Sequence, residues 1–188
     1  KGPSAQRIEE LAMERHTTTV LGVRRGNRVV MGSDGQVTMG DIALKHRTCK
    51  VRKLYGDSVL VGFSGATADA LALLDQLEGH LEHYNGNLER AAHELSRDWR
   101  TDRYLRRLEA MIIAMDASRS LFISGEGDLL TPDDEILAVG SGAPFALAAA
   151  RAYVDGSRLG ARQIVQRSLE IAAEICIYTN AQISLVEL

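Results

Sequence analysis

The sequence predicts an α+β fold in which antiparallel sheets carry pairs of helices on their outer faces. Three observations predict it. Short apolar and β-branched runs, punctuated by Gly and Asn turns, fill residues 18–65 and return after residue 110. Segments with Leu or Ala at helical spacing come in consecutive pairs, at 67–108 and 145–175. A final apolar run closes the chain. The order is strands, two helices, strands, two helices, strand, which disfavours the single alternation of a doubly wound βαβ sheet.

Each element has its own signal. Thr18 to Arg24 and Arg28 to Gly32 flank Arg25-Gly26-Asn27 and form a hairpin. Asp34-Gly35-Gln36 then opens a polar turn. Val51 to Tyr55 and Val59 to Phe63 are separated by Gly56-Asp57, and Ser58 to Ser64 is apolar enough for a strand buried on both faces. Thr67 to Tyr84 carries Leu71, Leu74, Leu77 and Leu81 at helical spacing, with Thr67 as a candidate cap and Asn85-Gly86-Asn87 as the stop. Leu88 to Leu108 continues as a second helix through Ala91, Ala92, Leu95, Trp99 and Leu105. Ala110 to Met115 and Ser120 to Ser124 form a strand pair, and Ile136 to Val139 is a further apolar run. Gly140-Ser141-Gly142 breaks it before Pro144, whose fixed φ suits the first turn of a helix. Phe145 to Val154 and Ala161 to Ile175 are the second helix pair, and Ala181 to Leu188 a last strand. Residues 4–15 read as a short amphipathic helix or a loose tail, too short to be stable alone.

Composition narrows the function classes. The 188 residues are 45% hydrophobic and 25% charged, as in one ordinary globular domain. A net charge of -3 offers no basic field for nucleic acid or anionic membrane. The basic cluster Lys45, His46, Arg47, Lys50, Arg52 and Lys53 lacks interleaved aromatics, so it reads as a solvated strand face or a functional lysine region. Cys49 and Cys176 form no CxxC pair, which argues against a zinc site or disulfide framework and fits a reducing cytoplasm. No apolar run approaches the roughly 18 residues of a membrane span. Residues 1–17 read as an N-terminal extension, a propeptide or an expression remnant or both, ahead of a single unit at 18–188; Met13 is an alternative first residue.

Five places invite chemistry, each with a plain alternative. Thr17-Thr18-Thr19 heads a strand, where threonine is ordinary. A threonine freed at its own N-terminus, though, gains an amine with a pKa of about 7.7–8.0 to act as base for its hydroxyl. Ser33-Asp34-Gly35-Gln36 is an Asp-Gly turn, or a carboxylate placed to orient a cation. Lys50 is a surface lysine, or a cation held beside a nucleophilic oxygen. Gly62-Phe63-Ser64-Gly65-Ala66-Thr67-Ala68-Asp69 lacks the Gly-Lys-Ser/Thr of a phosphate loop; it is strand-to-helix capping, or a turn offering N–H groups to an oxyanion. Gly140-Ser141-Gly142 lacks the full Gly-x-Ser-x-Gly elbow, with Val139 and Ala143 at its ends. The five histidines show no HExxH or other ligand spacing for a catalytic zinc.

No signal decides alone, but their order along the chain resembles the HslV family of proteasome-like peptidase subunits. The run from Thr18 through Asp34 and Lys50 to Gly65 carries the resemblance. So do Arg97-Asp98-Trp99-Arg100-Thr101-Asp102-Arg103, Ile136-Leu137-Ala138-Val139-Gly140-Ser141-Gly142 and Ile175-Cys176-Ile177-Tyr178-Thr179-Asn180. The resemblance implies a four-layer αββα sandwich of the N-terminal-nucleophile hydrolase type. It implies threonine endopeptidase activity on unfolded cytoplasmic proteins, latent until the extension is removed. The segment ending Val23-Arg24-Arg25 sets the register that makes Thr18 the nucleophile, although Thr17 leaves the cut site open. Asp34 and Lys50 match the supporting acid and base, Gly65 the oxyanion donor, and Ser141 the serine near the amine. Lys50→Ala is then expected to abolish turnover with the fold intact. A sodium ion on the main-chain carbonyls of Ala173, Cys176 and Thr179 is also implied, although Ala173 stands where the family often has glycine. So are two stacked six-membered rings and allosteric activation by an HslU-type AAA+ ATPase, the only consumer of ATP. The alternatives are a peptidase served by a different ATPase and an unprocessed, catalytically silent ring scaffold.

Overall fold

A computed structural model describes residues 18–39, 41–108, 110–124 and 126–188. The expected extension at 1–17, with its helix at 4–15, lies outside the described residues. One sheet contains β1 (Thr19–Arg25), β2 (Arg28–Ser33), β10 (Ile136–Gly140) and β11 (Ser184–Glu187), in the order β10-β1-β2-β11. The other runs β5 (Val51–Leu54), β6 (Val59–Gly65), β7 (Ala110–Met115), β8 (Ser120–Ser124) and β9 (Leu129–Leu130). Among the described residues the strand pairings are antiparallel. The helices are α1 (Thr67–His83), α2 (Leu88–Thr101), α3 (Ala143–Gly156) and α4 (Ala161–Ile175).

Strand periodicity builds the layers, because successive side chains point to opposite faces. Along β1, Val20 enters an inner cluster while Leu21 and Val23 enter an outer one. Met31 and Val30 divide the same way on β2, as do Leu60 and Val61 on β6 and Ile113 and Ile112 on β7. Three apolar clusters result. The inner one joins the two sheets through Val20, Met31, Leu60, Ile113 and Met115. The second packs β1, β2 and β10 under α3 and α4, and the third packs β5–β8 under α1 and α2. This is the expected αββα order. Each fully buried Leu, Ile or Met contributes about 1.5–3 kcal/mol by leaving water.

Several elements differ in detail from the expectation. The second helix ends at Thr101, and a short 3-10 turn (Leu105–Arg107) follows where a continuous helix was expected. Asp102 explains the break: its carboxylate accepts from Tyr104 N at 2.7 Å and Leu105 N at 3.0 Å, which competes with helical bonding. Ala66, not Thr67, is the N-cap residue of α1, and no side chain caps it. Two unforeseen strands, β3 (Val37–Met39) and β4 (Ile42–Lys45), pair as a hairpin with an exposed second strand. Its sequence signal, two β-prone runs across Gly40-Asp41, was available. Cys49 and Cys176 are free thiols. Among the described residues no helix is long and apolar enough to cross a membrane.

The inner layer leaves no room at Gly62. A Cβ there would lie 2.5 Å from Val20 Cγ1 and 2.8 Å from Met31 Sδ. Val20 is β-branched and stiff, so the strands themselves must separate to admit a methyl group. Gly62→Ala is expected to cost about 1–3 kcal/mol in chemical denaturation. An unchanged midpoint would show that the two sheets are not in close contact there.

Candidate active site

Thr18 precedes the first residue of β1, a strand paired on both sides, by β10 and β2. Thr19 stands opposite Gly140 across β1 and β10. The carbonyl of Thr18 accepts from Ser141 N at 2.9 Å. Gly140 has φ +99, and a Cβ on it would sit 1.7 Å from the Thr18 carbonyl oxygen and 3.3 Å from Ser64 Oγ. Only glycine allows that approach. It brings the end of β6, where Gly65 follows Ser64 at φ +116, to the head of β1. Four sequence candidates, Thr18, Ser64-Gly65 and Ser141, therefore gather at one end of the sandwich.

Asp34 and Lys50 meet at the same end. Asp34 follows β2 and is fully buried; Lys50 precedes β5 and is 3% exposed. Lys50 Nζ lies 3.1 Å from Asp34 Oδ1 and also donates to the Gln36 carbonyl. The same carboxylate accepts from Thr19 N at 2.8 Å, Gln36 N at 2.8 Å and Asn180 N at 3.3 Å. Asp34 N in turn donates to the Thr19 carbonyl at 3.1 Å. The Asp-Gly turn is thus no surface turn: it folds inward so that its carboxylate faces both a cation and the first residues of β1. Burial pushes the Lys50 ammonium below its ordinary pKa of 10.5, while the charge and hydrogen bond of Asp34 act in the opposite direction.

Some contributors escaped the sequence reading. Ser33 Oγ accepts from Lys50 N at 3.2 Å, and Phe63 N donates to the Lys50 carbonyl at 3.3 Å, fixing the lysine backbone between the sheets. Thr19 Oγ1 lies 2.7 Å from Thr179 Oγ1 and accepts from Gly142 N at 2.9 Å. Thr179 and Asn180 sit in the turn after α4 and touch β1 and the 34–36 turn, and only their place in the Ile175–Asn180 motif marked them in the sequence. The remaining cation candidates, Ala173 and Cys176, lie at the end of α4.

The arrangement can lower the pKa of a hydroxyl beside Lys50, hold the lysine charged through Asp34, and place Gly65 at the end where negative charge would develop. It also makes Lys50 costly to remove, contrary to the expectation that Lys50→Ala leaves the fold untouched. Stripping the partner from a fully buried carboxylate costs about 3–5 kcal/mol. Lys50→Met is expected to lose that much in urea denaturation, and Asp34→Asn in the same chain to restore most of it. Additive losses in the double variant would contradict a coupled pair.

Comparison with known proteins agrees with the fold. The family described as Proteasome subunit matches residues 14–188. The ATP-dependent protease subunit HslV of Syntrophobacter fumaroxidans is 56% identical over 173 residues, covering 92% of this chain and 97% of the relative. Its counterpart from Chlorobium luteolum is 57% identical over 171 residues, covering 91% and 94%. Among solved structures, eukaryotic HslV from Trypanosoma brucei superposes with a TM-score of 0.86 at 44% identity, covering 90% of this chain and 98% of that one. Thiobacillus denitrificans BPH in complex with epoxomicin reaches 0.69 at 19% identity, covering 90% and 97%, and shares the fold alone. The chain belongs to the proteasome subunit family as a protease subunit of the HslV type.

Proposed function

We propose that this chain is the threonine endopeptidase subunit of an ATP-dependent, self-compartmentalised protease of the cytoplasm, with Thr18 as nucleophile. The observation that supports it most is the buried Lys50–Asp34 pair, bonded to the residue next to Thr18 at Thr19 N. A buried ion pair is a poor stabiliser, so its position at the head of β1 favours chemistry over stability.

Removal of residues 1–17 turns the Thr18 amide into an amine. The amine takes the proton from Thr18 Oγ, directly or through water, as Oγ bonds to a peptide carbonyl carbon. Lys50 favours the oxyanionic nucleophile, and Asp34 holds Lys50 charged. The Gly65 N–H binds the tetrahedral oxyanion, a contribution of about 3 kcal/mol for one such donor. Collapse breaks the C–N bond, and the leaving amine takes the proton from the Thr18 ammonium. Water then attacks the Thr18 ester with the amine again as base, which releases a carboxylate and restores Oγ–H. Ser141, whose N–H grips the Thr18 carbonyl, keeps the amine end in register. On this mechanism activity falls at high pH as Lys50 loses its proton, below the 10.5 of an ordinary lysine.

The relatives' names describe a subunit of an ATP-dependent protease. We extend this to an HslU-type AAA+ ATPase that feeds unfolded protein to two stacked six-membered rings of this chain. The sodium site belongs to the same reading. The Cys176 carbonyl accepts from Thr179 N at 3.0 Å, closing a turn at the negative end of the α4 dipole. The neutral carbonyls of Ala173, Cys176 and Thr179 fit a hard monovalent cation, which would supply charge to steady that turn. Replacing sodium by tetramethylammonium at constant ionic strength is expected to lower the thermal midpoint by a few degrees; an unchanged midpoint would remove the cation.

The uncut chain is expected to be nearly inactive. Intact mass and N-terminal sequencing, followed alongside peptide hydrolysis with the ATPase, should show activity arriving with a new terminus at Thr18. Full activity in uncut protein or in Thr18→Ala would defeat the nucleophile assignment; a silent processed ring would favour the scaffold reading.

A further inference from the structure

The turn after α4 holds a residue with contacts in three directions. Asn180 Oδ1 accepts from Gly35 N and from Gln182 N, each at 3.1 Å, and Asn180 Nδ2 donates to the His46 carbonyl at 3.0 Å. Two N–H donors on one side and a carbonyl on the other fix the orientation of the amide. The contact to Gln182 is a local Asx turn and needs no further explanation. The other two are not local, since they join residues 145 and 134 positions apart. The Asn180 backbone N–H adds a bond to Asp34 Oδ2.

These bonds bracket the 34–36 turn. Gly35 sits between Asp34, whose carboxylate meets Lys50 Nζ, and Gln36, whose carbonyl accepts from the same Nζ. A Cβ on Gly35 would lie 2.5 Å from the His46 carbonyl and 3.0 Å from the Gln182 carbonyl, so the turn is pressed against the two segments that Asn180 also ties. Nothing in the Lys50 side chain itself selects this position for its two acceptors. We propose that Asn180 is a positioning residue for Lys50: its amide clamps the 34–36 turn to the 46–47 segment, so that Asp34 and the Gln36 carbonyl converge on Nζ. Its bonds run to Asp34, Gly35, His46 and Gln182, and the proposal rests on the assignment of Lys50 to the peptidase mechanism.

The consequence is readable in a pH profile. Asp34 is the charged group acting on Lys50. The end of β6 and the Ser141 loop carry no titratable side chain; the 176–182 turn carries Cys176 and Tyr178; His46, Arg47, Cys49 and Arg52 are exposed. A looser 34–36 turn weakens the two contacts that keep Nζ protonated. The ammonium then loses its proton at lower pH, and the basic limb of kcat moves toward neutrality.

The test uses processed, assembled enzyme with its ATPase and a fluorogenic peptide, comparing Asn180→Ala, Asn180→Asp and Lys50→Ala. Asn180→Ala is expected to lower kcat by on the order of tenfold to a hundredfold, with little change in KM and the basic limb moved to lower pH. Asn180→Asp keeps the acceptor for Gly35 N and Gln182 N, gives up the donor to the His46 carbonyl, and adds negative charge next to the 34–36 turn. Its basic limb should stay in place or move to higher pH, with kcat above that of Asn180→Ala. Thermal melting of each variant measures the structural cost separately. A lower kcat with an unmoved basic limb in Asn180→Ala, or the same downward shift in both Asn180 variants, would overturn the positioning role while leaving the peptidase assignment standing. Wild-type turnover in Lys50→Ala would overturn the assignment itself and the positioning role with it.

Discussion

The constraint on which the rest of the structure depends is the ion pair of Lys50 and Asp34, because it joins two sheets at the end where they must not drift apart. Asp34 leaves β2 in one sheet, and Lys50 enters β5 in the other. Both side chains are buried, at 0% and 4% exposure. Two charges can be taken out of water only if every lone pair and proton finds a partner. Asp34 meets that condition with donors from Lys50, Thr19, Gln36 and Asn180. Those four donors come from separate stretches of the chain, so satisfying one carboxylate fixes the relative positions of β1, the 34–36 turn, the start of β5 and the turn after α4. The apolar inner cluster holds the sheets face to face but does not specify a direction. The ion pair does.

The pair also accounts for the small residues around it. Gly140 lets the Thr18 carbonyl come within a distance that any Cβ would forbid, and Gly62 lets β6 lie against Val20 and Met31. Both glycines serve close approach of backbone to a neighbour, one between β10 and the start of β1, the other between the sheets. Close packing therefore supplies a rigid frame, and electrostatics gives that frame a reactive end. The division suits acyl transfer, where donors must already be aimed at the place where charge will develop.

Legibility in the sequence followed the range of the interactions. Short apolar runs and paired helical segments were enough for antiparallel sheets with helix pairs on their outer faces, because both are local patterns, and the four-layer αββα order came with the family resemblance. The end of α2 was misjudged because an Asp102 side chain outcompeted the helix, a contest between local bonds that apolar periodicity does not report. The β3–β4 hairpin was passed over because its second strand is exposed, so it lacks the buried stripe that marks a strand. Asp34 and Lys50 are 16 residues apart and became visible as a pair only through the ordered motifs around them. Asn180, whose partners Asp34, Gly35 and His46 lie 134 to 146 positions away, was marked only by its place in the Ile175–Asn180 motif, with no sign of its role.

Under the proposed mechanism, one feature of the geometry bears on how a buried site can be switched on by a cut. The contacts described for the head of β1 lie at or beyond the Thr18 carbonyl: Ser141 N to Thr18 O, Thr19 N to Asp34, and Thr19 Oγ1 to Gly142 N and Thr179. All are on the C-terminal side of the bond before Thr18. Cleavage there breaks none of them. It exchanges an amide nitrogen, which has no basic lone pair, for an amine that has one, while the bonds from Ser141 N to the Thr18 carbonyl and from Thr19 N to Asp34 lie beyond the cut. On that mechanism the cost of assembling two buried charges is met during folding, before any substrate arrives.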